Sequence, residues 1–194
     1  MNFLGHLYFS NNDKDLMLAN LFGDFVKGSN FNHFSLKIRQ GIILHRAIDA
    51  YIDQHKDVLE LKLLLYEDLP KVAGVAVDLF FDHLLAKSWG NYHIEKYESF
   101  LNDFYQHNSD IENDLTDEFK RFISVFRERK WLNYYPTSFG LTKSCEGVSK
   151  RISFPNKLAD APEVYNKREK FIYEVFQKYM RDAKEHFLNS NKVN

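Results

Sequence analysis

Four residues with the types that bind metals and phosphates share one stripe of a long apolar segment. At ~100° per residue, His45, Arg46, Asp49 and Asp53 fall within an arc of about 100° on a helix. The rest of that circumference is Ile43, Leu44, Ala47, Ile48, Ala50, Tyr51 and Ile52. A stripe facing only water usually carries long Lys and Glu side chains. Imidazole, carboxylate and guanidinium in one line point instead to a divalent ion or a phosphate. Asp78 and Asp82 repeat the theme at i and i+4 within the apolar run 73–85. Two carboxylates on one helix face repel unless a cation, a proton or a basic group joins them. His83 lies about 100° round from Asp82. Asn20 and Asp24 are again spaced i, i+4 in an apolar segment, and His6 stands among Phe3, Leu4, Leu7, Tyr8 and Phe9. Oxygen and imidazole donors of this kind suit Mn²⁺ or Mg²⁺ ahead of Zn²⁺. The plainer alternative is a core histidine at His6 and a structural ion-pair network around Arg46.

These residues need rigid elements to bring them together, and the periodicity is helical nearly throughout. Helices are expected at about Asp13–Val26, Phe34–His55, Val58–Tyr66, Val72–Lys87, Ile94–His107, Thr116–Tyr135, Phe139–Ile152 and Pro162–Leu188. Asp117 and Glu118 favour a helix start after Thr116, and Pro162 fits the first turn of the last helix. With 8 Gly and 4 Pro there is little turn material for many short strands. The expected fold is all-α: a single-domain bundle of about eight helices spanning 1–194. No repeat, linker or low-complexity tract interrupts it.

The chain has 194 residues, 44% hydrophobic, with a formal net charge of −1. That total hides a split. Residues 1–114 carry 10 Lys/Arg and 17 Asp/Glu, whereas residues 115–194 carry 16 and 10. The single cysteine, Cys145, excludes an intrachain disulfide and suits a reducing cytoplasm. With no base near it in sequence, Cys145 reads as a small buried residue rather than a nucleophile. No signal-like start and no apolar run of membrane-spanning length is present, so no membrane is expected as a partner, and with a net charge of −1 and no recognisable reading motif neither is nucleic acid. His33, His55, His93, His107 and His186 sit in polar or helix-end contexts and are expected at the surface.

The opening Asn2-Phe3-Leu4-Gly5-His6-Leu7 resembles the start of the acyl carrier protein phosphodiesterases, where an Ala more often occupies the place of Gly5. The segments Asn20–Gly28, Gly41–Asp49 with Asp53 and His55, and Ala73–Trp89 with Asp78, Asp82 and His83 resemble three further blocks of that family. A weaker likeness continues through Trp131, Leu132, Tyr135, Gly140, Leu141 and Arg151. The resemblance implies an all-helical, HD-domain-like hydrolase of lipid metabolism. It would cleave 4′-phosphopantetheine from holo-acyl carrier protein, with Mn²⁺ as its ion, or Mg²⁺ or another divalent cation. The chain has no His-Asp dipeptide, only the reversed pair Asp82-His83. Exchange of Gly5 with Ala is expected to be harmless.

A phosphodiester anion repels hydroxide, and a divalent ion both neutralises the phosphoryl oxygens and acidifies water. On this reading His6, Asp24, His45, Asp78 and Asp82 form the ligand pool. Arg46 binds a non-bridging oxygen, Asp49 or Asp53 orients a histidine or accepts a proton, and His83 protonates the leaving serine oxygen. The acyl carrier protein is acidic, and residues 120–157 hold nine Lys/Arg against Glu128 and Glu146. Arg129, Lys130, Lys143, Lys150 and Arg151 are therefore the expected docking cations. Two other functions fit the same residues: a metal phosphohydrolase for a nucleotide or small phosphoester, or a non-enzymatic helical module.

Overall fold

A computed structural model describes residues 1–189. Nine α-helices and no strand are found among them. They are α1 (Phe3–Tyr8), α2 (Lys14–Phe22), α3 (Leu36–Gln54), α4 (Lys56–Leu65), α5 (Ala73–Lys87), α6 (Tyr97–Gln106), α7 (Asp117–Arg129), α8 (Ser138–Ser149) and α9 (Ala161–Lys184). The all-α expectation holds, with one helix more than the eight read from the pattern.

The additional helix is α1. Six residues form a helix too short to persist alone in water. Tertiary groups stabilise it. Asp82 of α5 accepts the N–H of Leu4 at 2.7 Å and of Gly5 at 3.1 Å, and the Asn2 side chain accepts that of Phe3 at 2.9 Å. Leu4 and Leu7 are fully buried. A turn with Asn11 and Asn12 in left-handed conformations leads into α2, whose start Asp13 caps at the N–H of Leu16.

α2 and α3 meet backbone to backbone. A Cβ on Gly41 would overlap Ala19 and come within 2.7 Å of the Asn20 nitrogen, so only glycine permits this approach. α5 is the central helix, buried on most of its circumference and packed by α1, α4, α8 and α9. Phe119, Phe122 and Phe126 of α7 pack edge-on or tilted against Phe3, Phe22 and Phe25.

Two boundaries differ from the sequence expectation. The helix begun at Thr116 ends at Arg129 rather than near Tyr135. Lys130 turns left-handed (φ 48°) and a short 3₁₀ segment, Trp131–Tyr134, follows. The last helix gives way after Lys184 to a π-helical turn, Glu185–Asn189. Among the described residues no helix is long and apolar enough to cross a membrane.

Candidate active site

Four elements bring polar side chains to one open cleft of about 460 Å³. α1 supplies His6, α3 supplies Asp49 and Asp53, and α5 supplies Asp78. Asp24 arrives on the 3₁₀ turn Gly23–Phe25 that closes α2. His45 lies directly behind this acidic wall. Phe3, Ile52, Val75, Leu79 and Val148 make the apolar part of the lining, and Arg151 stands beside them just beyond α8.

At the centre, the rings of His6 and His45 stack at 4.2 Å. Asp49 joins both: His6 Nε2 lies 3.3 Å from Oδ1 and His45 Nε2 lies 3.2 Å from Oδ2. His45 Nε2 also lies 3.3 Å from Asp24 Oδ1. A side chain at position 23 would overlap the His45 ring, so Gly23 is what lets the turn close over it. One atom from each of His6, His45 and Asp49 falls within 4.8 Å of the others.

The electrostatics favour a cation here. Burial alone would lower the His45 pKa, but the hydrogen bonds and charges of Asp24 and Asp49 override it and raise it to about 9. An imidazolium therefore bridges two carboxylates in the metal-free protein. Burial would raise the Asp49 carboxyl, yet the hydrogen bond from His45, with the adjacent His6 ring and the Met1 amino group, holds it well below the usual carboxylate range. Burial lowers His6, which remains a neutral imidazole. Neutral imidazole plus ionised carboxylate is a donor set suited to a divalent ion. His6, His45, Asp24 and Asp49 would hold one, with Asp78 at the cleft wall. Asp78 Oδ1 is 3.1 Å from the Met1 amino group.

Several expected roles need correction. Asp82 does not reach the cleft, because both its oxygens are engaged at the start of α1; it positions His6 instead of binding an ion. Arg46 donates to the carbonyls of Val26 (3.0 Å) and Gly28 (2.6 Å) and lies over the Phe31 ring. It latches the segment after Asp24 and does not line the cleft. His83 is buried away from the cleft, with Nδ1 at 2.7 Å from the Tyr135 carbonyl and its ring edge-on to Tyr165. It has no access to a leaving group in the cleft. Asp53 does line the cleft, with Lys62 donating to it at 2.6 Å. Arg151, expected on a docking face, is a cleft residue.

Gly5 is not interchangeable with alanine at no cost: a Cβ there would come within 2.6 Å of the Met1 side chain, which would have to move. His55, His93 and His107 are half-buried rather than fully at the surface. Cys145 is buried, and burial pushes its thiol up to about 12, as befits a packing residue. Two contributors had no sequence signal of their own. Ser10, in the turn after α1, is fully buried and bonds the His6 carbonyl at 2.8 Å. The Met1 carbonyl oxygen lies 3.0 Å from His6 Nε2.

The profile of the family described as acyl carrier protein phosphodiesterase matches residues 1–183. The chain belongs to this family. Membership places it among the hydrolases. A protein of Photorhabdus laumondii named acyl carrier protein phosphodiesterase is 28% identical over 155 residues, covering 78% of this chain and 77% of the relative. One of the same name from Salmonella agona is 27% identical over 155 residues, covering 78% and 79%. No solved structure gives a significant match.

Proposed function

We propose that this family member hydrolyses the phosphodiester joining 4′-phosphopantetheine to a serine of acyl carrier protein, with a divalent ion, Mn²⁺ or Mg²⁺, in the His6/His45/Asp24/Asp49 cluster. The observation that carries this reading is the convergence of two buried imidazoles and two carboxylates beside a cleft with one apolar wall. Its family and the names of its relatives support the substrate. When bound, the ion supplies neutralisation of the phosphoryl oxygens and activation of water near neutral pH.

The chain's own residues supply the rest. Phe3, Ile52, Val75, Leu79 and Val148 offer an apolar wall for the pantetheine arm. Arg151 makes no side-chain hydrogen bond or ion pair among the described residues, and it is the one Lys or Arg in the cleft lining. It takes the role first read for Arg46, holding a non-bridging oxygen through its fork of N–H donors. Water attacks phosphorus, the phosphorus–serine oxygen bond breaks, and the serine oxygen leaves as a hydroxyl with the proton that the attacking water releases. Asp49 is kept ionised, and Asp53 stands at the exposed end of the same stripe. Asp53, which lines the cleft and is not among the residues that would hold the ion, accepts the proton from water.

The carrier protein's acidic surface has a counterpart outside the cleft. Arg129, Lys130 and Lys150 are exposed and free of ion pairs among the described residues, while Lys143 is paired with Glu146 at 2.8 Å. Exposed Trp131, Tyr134 and Phe139 lie among them in sequence. Charge reversal of Lys150 should raise KM for the carrier protein and leave Mn²⁺ binding unchanged. The decisive test incubates the protein with holo-acyl carrier protein and Mn²⁺ and follows the carrier mass. Loss of the phosphopantetheine arm supports the reading; no conversion by folded, metal-loaded protein contradicts it.

A further inference from the structure

We infer that Asn20 fixes the tautomer of His6, so that Nδ1 carries the proton and Nε2 presents its lone pair to the ion. The inference rests on the proposed metal site for its purpose, though not for its geometry.

Asn20 is fully buried in α2, beyond the cleft lining. Its amide nitrogen donates to the His6 carbonyl at 3.0 Å and to Ser10 Oγ at 3.0 Å. The Ser10 hydroxyl proton is itself committed to the His6 carbonyl at 2.8 Å. Turning the Asn20 amide over would aim its oxygen at a carbonyl oxygen and at a hydroxyl lone pair. The donors are thus fixed, and Asn20 Oδ1 can only accept. The atom it faces is His6 Nδ1, at 2.9 Å, which must therefore donate.

A neutral imidazole has one donor and one acceptor nitrogen. With the proton on Nδ1, the lone pair is on Nε2. That atom points at two further acceptors, Asp49 Oδ1 at 3.3 Å and the Met1 carbonyl at 3.0 Å. Three lone-pair donors converging on one region are reconciled by a cation. Asn20 and Ser10 therefore act as positioning residues: they touch neither ion nor substrate and set the direction in which His6 offers its electrons.

Two substitutions separate this role from a structural one. Asn20→Asp keeps an acceptor at Nδ1 but loses both donor bonds. Asn20→Ala loses all three. Both should lower Tm by similar amounts. In metal-free, ¹⁵N-histidine-labelled protein at pH 8, long-range ¹H–¹⁵N correlation should show His6 protonated on Nδ1 in the wild type and in Asn20→Asp. Asn20→Ala should lose that preference, and its Mn²⁺ affinity should fall about 10–100-fold. Asn20→Asp should stay near the wild-type affinity. A wild-type His6 protonated on Nε2, or a fall in affinity shared by both variants in step with Tm, would overturn the inference. Failure to cleave carrier protein with the tautomer and affinity responses intact would refute the substrate reading alone.

Discussion

Mn²⁺ should bind the metal-free protein more tightly as pH rises, because the ion must displace a proton from His45. Asp24 and Asp49 hold the imidazolium with a pKa of about 9. A ligand histidine must be neutral to offer its lone pair, so proton and ion compete for the same nitrogen. At pH 7 the two units between pH and pKa suppress the affinity about 100-fold, or about 2.7 kcal/mol. Between pH 6.5 and 8.5 the apparent affinity should rise about tenfold per pH unit, levelling as pH nears 9. Asp49 adds no slope in this range, since its carboxyl is held ionised. The assay is titration calorimetry in pairs of buffers with different ionisation enthalpies, which counts the protons released. About one proton per Mn²⁺ is expected at pH 7. Asp24→Asn removes one of the two carboxylates on Nε2, so it should reduce both the proton release and the slope. An affinity that is flat from pH 6.5 to 8.5, with no proton released, would refute the placement of His45 in the metal site.

The remaining expectations concern stability and the division of labour among the polar residues. Without metal, the His45 contribution is fully present below its unfolded pKa of about 6.5 and is lost as pH rises through about 9, a loss of about 3 kcal/mol that urea titrations would read. Asp82→Asn should cost about 1–3 kcal/mol, because an amide cannot accept from both the Leu4 and Gly5 N–H groups. Arg46→Ala should lose about 1–2 kcal/mol of stability and keep kcat within about threefold, since its guanidinium binds backbone carbonyls. Asp49→Asn should instead lose kcat by about 100-fold or more with the fold retained, because it bridges both histidines. Equal kinetic losses from Arg46→Ala and Asp49→Asn would contradict that contrast.

Sequence pattern alone locates most of the helices and singles out three of the four residues that the structure brings together in the candidate site. His6, Asp24 and His45 stood out as polar groups in apolar segments, and Asp49 was read as a helper rather than a bridging group. α1 is not legible in the sequence because its stability comes from a residue 78 positions away, and a six-residue segment is too short to carry a usable period. Asp78 and Asp82 were indistinguishable as an i, i+4 pair on an apolar helix. Only the arrival of α1 above α5 gives one of them two N–H partners and leaves the other at the cleft. Arg46 and Arg151 are both placed differently from the expectation, for a similar reason. Arg46 shares a stripe with the ligands, but the segment after Asp24 folds back and presents carbonyls to it. Arg151 lies in a basic run, and its place beside the cleft depends on where α8 ends. Asn20 could be flagged as a buried amide, but its effect on His6 needed the positions of both Ser10 and the His6 carbonyl.

The most direct measurement of the proposed chemistry is the reaction with holo-acyl carrier protein and Mn²⁺ in ¹⁸O-water, read by mass spectrometry of both products. Attack of water on phosphorus should place one ¹⁸O in the phosphate of the released 4′-phosphopantetheine and none in the serine, and Asp49→Asn should slow the release about 100-fold or more. Unlabelled phosphate, label on the serine, or an intact carrier after exposure to folded, metal-loaded wild-type protein would contradict it.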